Sequence, residues 1–169
     1  QNQALNALLQ IKLARIGDLP RAKRPKRLPT VFTRSEARNI LALLTNTERL
    51  MAELLYGAGL RLTECVSLRV KDLDFERRVI TVRAGKGGKD RLTILPRCLE
   101  EPLQHQVAKV REIYNRDLTD HFEGTTMPAS LNRKFPSAAK EFAWQFLFPA
   151  SRRCIDRTGY ERRHHCDES

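Results

Sequence analysis

Cysteine is scarce in this chain, and no two cysteines are paired in sequence. The four, Cys65, Cys98, Cys154 and Cys166, are scattered, and none belongs to a C-x-x-C motif. This spacing excludes the common zinc fingers and argues against a disulfide framework, so we expect reduced thiols in a cytoplasmic protein. His164 and His165 directly precede Cys166, but adjacent residues rarely share one tetrahedral metal site. The sequence therefore predicts no bound metal.

Long apolar runs are missing as well. No stretch approaches the roughly 18 apolar residues that a membrane span requires. No signal-peptide pattern is found either. Together these two absences predict a soluble protein that has no membrane partner.

Acidic residues are in deficit. Asp and Glu number 20 against 31 Lys and Arg, which gives a formal net charge of +11. Such an excess favours a polyanionic partner, because each phosphate contact releases counterions from a nucleic acid. Ribosomal proteins and heparin-binding proteins share this property, so the net charge alone does not identify the polyanion. With 41% hydrophobic residues, the chain has enough apolar material for a folded core.

The first thirty residues change character at Gly17. Leucines and isoleucines recur at steps of three and four residues up to Ile16, which predicts an amphipathic helix over residues 1–16. The next segment, Leu19–Pro29, contains three prolines and five cationic residues. Prolines and charges at that density predict an extended basic linker, so we place a domain boundary there.

Two capping boxes and a helical period predict a group of helices after the linker. Thr33-Arg-Ser-Glu36 predicts one helix start and Thr45-Asn-Thr-Glu48 a second, whose helix should stop at Tyr56–Gly59. A short helix is expected from Thr63 to Leu68. The period then changes to two in runs 79–83 and 91–95, which predicts a β-hairpin.

The C-terminal half is predicted from weaker signals. Leu99, Leu103, Val107, Val110 and Tyr114 form one stripe, which predicts a helix with an apolar face. Two short helical stretches are expected around 129–134 and 138–144, and the chain beyond residue 149 is predicted to be loop.

The hairpin tip at 84–90 is rich in glycine and lysine. It lacks the G-x-x-x-x-G-K-[ST] spacing and does not open a helix, so a nucleotide-binding loop is not predicted. Two interpretations stay open. The glycines can serve an ordinary solvated turn, or they can let a lysine swing toward a phosphate.

Arg61 follows a glycine-rich break and precedes a short helix. A guanidinium on a backbone held by packed leucines suits a bidentate grip on a phosphodiester. Glu64, three residues later, could pair with Arg61 and fix its rotamer. The alternative interpretation is an ordinary arginine at a helix start with an i,i+3 partner.

Two motifs in this chain resemble the signatures of tyrosine recombinases. Gly59-Leu-Arg-Leu-Thr-Glu64 resembles the run that holds the family's first catalytic arginine, and Gly85-Lys-Gly-Gly-Lys-Asp-Arg91 resembles the following hairpin motif. Three further stretches, at 1–8, 21–28 and 131–149, are similar to integron integrases. The resemblance implies an α+β fold, a mainly helical catalytic domain, here incomplete, with a small three-stranded antiparallel sheet.

The resemblance also implies a division into domains. Residues 1–18 would be the last helix of an N-terminal core-binding domain, and 19–30 the interdomain linker. Residues 31–169 would be the first part of the catalytic domain, with an insert characteristic of integron integrases at about 117–150.

The resemblance assigns roles to individual residues. Arg61 would hold the scissile phosphate, with Glu64 supporting it, and Lys86 would be the general acid that protonates the leaving 5′-oxygen. The expected DNA contacts are Arg21, Lys23, Arg24, Lys26, Arg27, Lys71, Lys89 and Arg91. Such enzymes join DNA to a tyrosine and need neither a metal nor a nucleotide cofactor.

The partners and the location follow from the same resemblance. We expect recombination-site DNA as the partner and a synaptic tetramer for the full-length protein. The expected location is the bacterial cytoplasm, with association to the nucleoid during recombination.

One part of the family pattern is missing from the sequence. No His-x-x-Arg box follows Arg91. Tyr160 precedes the basic run 162–165, the reverse of the family order, and Tyr114 lies on a predicted apolar stripe. We therefore expect a partial chain without its nucleophile, inactive alone. The alternatives are a truncated module that binds recombination sites without cleaving them, and a basic RNA-binding protein.

Overall fold

The computed structural model describes residues 31–83, 88–120, 122–156 and 159–166. Backbone contacts divide the chain into two units, Gln1–Phe32 and Thr33–Ser169, and the helices and strands below belong to the second. The helix predicted over 1–16, the linker 19–30 and Lys86 lie outside the described residues. Among the described helices, none is both long and apolar enough to cross a membrane.

Three helices open the unit: α1 (Arg34–Leu43), α2 (Asn46–Ala58) and α3 (Leu62–Val66). The capping box at the start of α1 is confirmed, since Thr33 Oγ1 accepts the Glu36 N–H at 3.3 Å and Glu36 Oε2 accepts the Thr33 N–H at 2.8 Å.

The second predicted capping box is wrong, although its helix is present. The Thr45 side chain makes no capping hydrogen bond. The next residue, Asn46, has a φ of 50°, a left-handed conformation that asparagine tolerates better than most residues. Thr45 has the extended conformation of an N-cap residue, but the left-handed residue after it replaces the regular first helical residue, and the hydroxyl caps no N–H. The helix ends as predicted, at Gly59 with a φ of 63°.

A three-stranded antiparallel sheet follows, as predicted. Its strands are β1 (Leu73–Asp74), β2 (Val79–Val82) and β3 (Arg91–Ile94), in the order β1-β2-β3. The predicted hairpin is confirmed, with Val79 opposite Ile94 and Val82 opposite Arg91. Its period of two places Ile80 and Val82 in the core, because alternate residues of a strand face opposite sides.

The core lies between the sheet, α2 and the long helix α4 (Glu100–Thr119). Leu54, Ile80, Leu103 and Phe148 have at most 1% of their surface exposed. The predicted apolar stripe of α4 is confirmed at Leu103 and Val110 and is less buried at Tyr114. There the tyrosine hydroxyl donates to the Lys140 carbonyl at 2.8 Å and the ring packs edge-on against Phe142.

The segment after α4 begins with a close approach of two backbones. Gly124 has a φ of 99°, and a Cβ there would lie 2.7 Å from the Ala139 carbonyl oxygen. Helix α5 (Ala129–Lys134) agrees with the prediction, whereas the stretch 138–144 forms two 3-10 turns, Ala138–Lys140 and Phe142–Trp144.

Arg69 attaches this segment to the rest of the unit. Its side chain is buried and donates to the carbonyls of Trp144 and Thr126, and its guanidinium lies 4.2 Å from the centre of the Phe146 ring. Around it, the Leu147 N–H donates to the Leu68 carbonyl at 2.8 Å. One arginine thus satisfies two carbonyls of a segment more than fifty residues away.

The chain beyond residue 149 is more regular than predicted. A two-stranded antiparallel ribbon joins β4 (Cys154–Ile155) to β5 (Glu161–Arg162). After it, Arg163 grips the buried carboxylate of Asp117 with two hydrogen bonds of 2.6 Å. Strands of two residues are too short to leave a hydrophobic period, so this ribbon could not be predicted from the sequence pattern.

Candidate active site

Arg61 lies in a short connection whose backbone is held at both ends. Gly59 closes α2 in the left-handed conformation, the next residue, Leu60, is buried, and α3 begins at Leu62. The Arg61 side chain itself is 55% exposed. The predicted fixed backbone with an exposed guanidinium is present, with Leu60 and Leu68 buried, but Leu62, which was also expected to pack there, is 45% exposed.

Glu64 holds Arg61 at two points. Its carboxylate accepts the Arg61 backbone N–H on Oε2 and the Arg61 Nη1 on Oε1, both at 2.8 Å. The glutamate side chain is only 6% exposed. Among the described residues, Arg61 Nε and Nη2 have no hydrogen-bond partner, so these donors remain available for a ligand.

Arg91, the first residue of β3, binds the same carboxylate from the other side. Its Nη1 donates to Oε1 at 2.7 Å and its Nη2 to Oε2 at 2.9 Å. The Arg91 Nη2 also lies 3.3 Å from the Gly59 carbonyl oxygen. Arg91 was predicted from the sequence to contact DNA. Its pairing with Glu64 could not be predicted from a local sequence pattern, because the two residues are 27 positions apart.

The pKa of Glu64 falls from an ordinary 4.5 to about 2. The Arg91 hydrogen bonds are the largest cause, burial opposes them, and the Arg61 contacts add to the lowering. In return, the carboxylate raises the pKa of Arg91. At physiological pH one anion thus sits between two cations, which leaves a single net positive charge on the cluster.

A pH dependence follows from the depressed pKa. The carboxylate stabilises the fold fully above the unfolded-state pKa of about 4.5, and this contribution is lost as the pH falls toward 2. We therefore expect Glu64→Gln to be less stable than the parent protein at neutral pH, with a gap that closes between about pH 4.5 and pH 2. Urea denaturation of both proteins across this range measures the gap.

A matched control for this experiment is Glu112→Gln, an exposed residue in the middle of α4. It should differ little from the parent protein at any pH. A gap for Glu64→Gln that stays constant down to about pH 2.5 would contradict the assignment of an ionised, paired carboxylate.

The hairpin that contains the glycine-rich tip is anchored near its described ends. Arg83 Nε donates to the buried Asp72 at 2.8 Å, and Arg83 Nη1 lies 3.7 Å from Asp90 on the other leg of the hairpin. A cavity of about 650 Å³ opens beside Glu64. Its lining includes Arg69, Arg83, Thr126, Trp144 and Phe146.

The remaining predicted DNA contacts differ in exposure. Lys89 is exposed. Lys71 is only 19% exposed, and its ammonium lies 3.8 Å from the centre of the Trp144 ring and 3.8 Å from Asp72. Burial lowers the pKa of Lys71, and Asp72 opposes this shift. The five linker residues, Arg21, Lys23, Arg24, Lys26 and Arg27, lie outside the described residues, as does Lys86.

The chain belongs to the phage integrase family, whose sequence pattern matches residues 30–139. That range contains Arg61, Glu64 and Arg91, the three residues of the cluster. The family acts on DNA as tyrosine recombinases, which agrees with the resemblance found in the two motifs.

Several proteins similar to this chain are described as integrases or recombinases. Proteins described as integrase/recombinase from Escherichia coli and Pseudomonas aeruginosa are each 40% identical over 149 residues, 88% of this chain and 44% of theirs. Tyrosine recombinase XerA of Thermococcus onnurineus is 48% identical over 85 residues, 48% of this chain and 30% of its own. This chain thus spans less than half the length of these relatives.

A crystal structure of XerA recombinase was also found. It matches with a TM-score of 0.46 at 24% identity and covers 52% of this chain and 33% of that one.

Proposed function

We propose that this chain is the front part of an integron integrase, an enzyme that cuts and rejoins DNA at recombination sites. The observation that carries the proposal is the Arg61 cluster. A half-exposed guanidinium is held by a buried carboxylate through one nitrogen, and its other two nitrogens have no hydrogen-bond partner among the described residues. Family membership supports DNA as the substrate.

In the proposed reaction, Arg61 binds the scissile phosphodiester and stabilises the charge that builds up on its oxygens. Arginine suits this task because its planar fork stays protonated and matches two phosphate oxygens. Lys86 protonates the departing 5′-oxygen. A tyrosine outside these 169 residues forms the 3′-phosphotyrosyl link, and a His-x-x-Arg box outside them completes the phosphate site.

In this proposal the chain contains parts of two domains joined by a linker. Residues 1–18 form the last helix of a core-binding domain, 19–30 a basic linker that crosses the duplex, and 31–169 the first part of the catalytic domain, with the insert at about 117–150. The linker residues Arg21, Lys23, Arg24, Lys26 and Arg27, together with Lys71 and Lys89, bind DNA. The full-length protein works as a synaptic tetramer on the bacterial nucleoid.

A suicide-substrate assay tests the proposal. A nicked recombination-site oligonucleotide traps the covalent protein–DNA adduct, because the cleaved piece diffuses away before religation. We expect no adduct from the 169-residue chain and a clear adduct from the protein extended along its own reading frame past Ser169. In the extended protein, Arg61→Ala should slow adduct formation by about 10²–10³-fold, and Arg77→Ala, on the exposed β1–β2 turn, should not.

Three outcomes would overturn parts of this proposal. An adduct formed by the 169-residue chain would place a nucleophile inside it. An extended protein that contains a His-x-x-Arg box and a downstream tyrosine but forms no adduct would contradict the recombinase activity. A stop codon directly after Ser169 would favour a module that occupies DNA sites without cutting them.

A further inference from the structure

Arg91 fixes the plane of the Glu64 carboxylate. Each of its two terminal nitrogens binds a different carboxylate oxygen, at 2.7 and 2.9 Å. Parallel paired bonds of this kind restrict both the distance and the rotation of a carboxylate, which a single contact does not. The orientation of Glu64 is therefore set from β3 and not only by its own helix.

Arg61 depends on that orientation. Glu64 Oε1 is shared by Arg61 Nη1 and Arg91 Nη1. Without Arg91, Glu64 would keep its local contacts with the backbone N–H and the half-exposed side chain of Arg61. A side-chain pair at i,i+3 with an exposed partner holds a side chain weakly. With Arg91 in place, the carboxylate offers Arg61 one fixed acceptor.

Strand β3 also holds the backbone that precedes Arg61. Arg91 Nη2 lies 3.3 Å from the Gly59 carbonyl oxygen, and Thr93 Oγ1 donates to the Ala58 carbonyl at 2.8 Å. The end of α2, the carboxylate and the arginine are thus tied to the same strand. A shift of β3 would move the backbone of Arg61 and its side-chain partner together.

These contacts leave Arg91 poorly placed to bind DNA itself. Two of its five guanidinium N–H groups bind the Glu64 carboxylate and a third faces the Gly59 carbonyl oxygen, which leaves two for a phosphate. Arg61, in contrast, uses one nitrogen on Glu64 and is more exposed, 55% against 37% for Arg91. The two arginines share one carboxylate but differ in what they present to solvent.

We propose that Arg91 is a positioning residue, which orients Glu64 and through it the Arg61 guanidinium toward a phosphodiester. The inference deepens the proposed function and rests on it, since it takes Arg61 as the phosphate-binding group. It replaces the expectation that Arg91 contacts DNA directly.

Arginine side-chain NMR tests the positioning directly. The ¹⁵N-labelled 169-residue chain is recorded alone and then titrated with dimethyl phosphate, a minimal phosphodiester, and the Arg61 Nε–H signal is assigned with Arg61→Lys. In Arg91→Ala we expect this signal to move toward that of a free arginine. The affinity for dimethyl phosphate should fall by about 3- to 10-fold.

Two further variants separate positioning from charge. Arg91→Lys retains the charge but cannot span both oxygens, so it should disturb the Arg61 signal nearly as much as Arg91→Ala. It also keeps a cation beside Glu64 and provides the measurement if Arg91→Ala does not fold. In a Glu64→Gln background, Arg91→Ala should add little, because the paired bonds to the carboxylate are already lost and only the longer contact with the Gly59 carbonyl remains. Arg77→Ala is the control and should leave the Arg61 signal in place.

An unchanged Arg61 signal and unchanged dimethyl phosphate affinity in both Arg91 variants would exclude positioning. If Arg91→Ala then lowered the salt dependence of binding to duplex DNA by about one phosphate contact, Arg91 would be a direct DNA contact. The affinity of Arg61→Lys for dimethyl phosphate tests the proposed function independently of the Arg91 variants. If this variant binds dimethyl phosphate as well as the parent chain, Arg61 is not the phosphate ligand.

Discussion

Replacing Arg69 with methionine should lower the free energy of unfolding by about 2–4 kcal/mol. Methionine fills much of the same volume, but it leaves the partly buried carbonyls of Trp144 and Thr126 without their donor. Each shielded acceptor that is deprived of its partner costs about 1–3 kcal/mol. The removal of the guanidinium from the Phe146 ring adds to this cost. Urea denaturation, followed by circular dichroism, measures the change.

The control for this prediction is Arg77→Met. Arg77 is 81% exposed on the β1–β2 turn, so its replacement should change the unfolding free energy by no more than about 0.5 kcal/mol. If Arg69→Met were equally mild, water would have to reach the two carbonyls. Arg69 would then not be what attaches the segment after α4.

The affinity of the chain for duplex DNA should fall by about 10³-fold between 50 and 200 mM monovalent salt. A decrease of this size corresponds to about six phosphate contacts, because each releases condensed counterions. The predicted contacts are numerous enough, five in the linker alone: Arg21, Lys23, Arg24, Lys26 and Arg27. Fluorescence anisotropy with a labelled duplex of about 30 base pairs measures the slope of log affinity against log salt.

The linker supplies the comparison for the salt dependence. Replacing its five cationic residues with serine should lower the slope by about 4.5, because each neutralised phosphate accounts for roughly 0.9 of it. A flat response of the parent chain would contradict DNA binding through these residues. Equal affinity for a structured RNA of similar length would instead favour a basic RNA-binding protein.

Local signals in the sequence predicted most of the secondary structure of this unit. The capping box at Thr33, the left-handed stop at Gly59 and the alternation along β2 each depend on neighbours within a few residues. Interactions between residues this close in sequence can be recognised from the residue types alone. They were sufficient to predict the helices and the β2–β3 hairpin, whereas the third strand was expected from the family resemblance.

The second capping box shows where local signals fail. Thr45-Asn-Thr-Glu48 has the same spacing as the first box, yet Asn46 enters the left-handed region and the threonine caps nothing. Asparagine can adopt either the regular helical or the left-handed backbone conformation. The spacing of the motif could not predict which of these two conformations Asn46 adopts.

Long-range pairings account for what the sequence did not reveal at the candidate site. Arg61 and its i,i+3 partner Glu64 could be predicted, and the structure brings them together at 2.8 Å. The contact of Arg91 with Glu64 depends on where β3 lies over the end of α2, which no local pattern encodes. Lys71, which was predicted to contact DNA, lies against Trp144, 73 residues away in sequence. This contact also depends on the tertiary fold, so no local pattern could predict it.

The most direct test of Arg61 as the phosphate ligand is the same salt titration carried out on Arg61→Ala beside Arg77→Ala. If Arg61 grips a phosphodiester, its removal should weaken DNA binding by about 10-fold at low salt and lower the slope by about 0.9. Arg77→Ala should leave both values close to those of the parent chain. If Arg61→Ala bound DNA with the parent affinity and the parent slope, Arg61 would not be a phosphate ligand, and the proposed active site would be wrong.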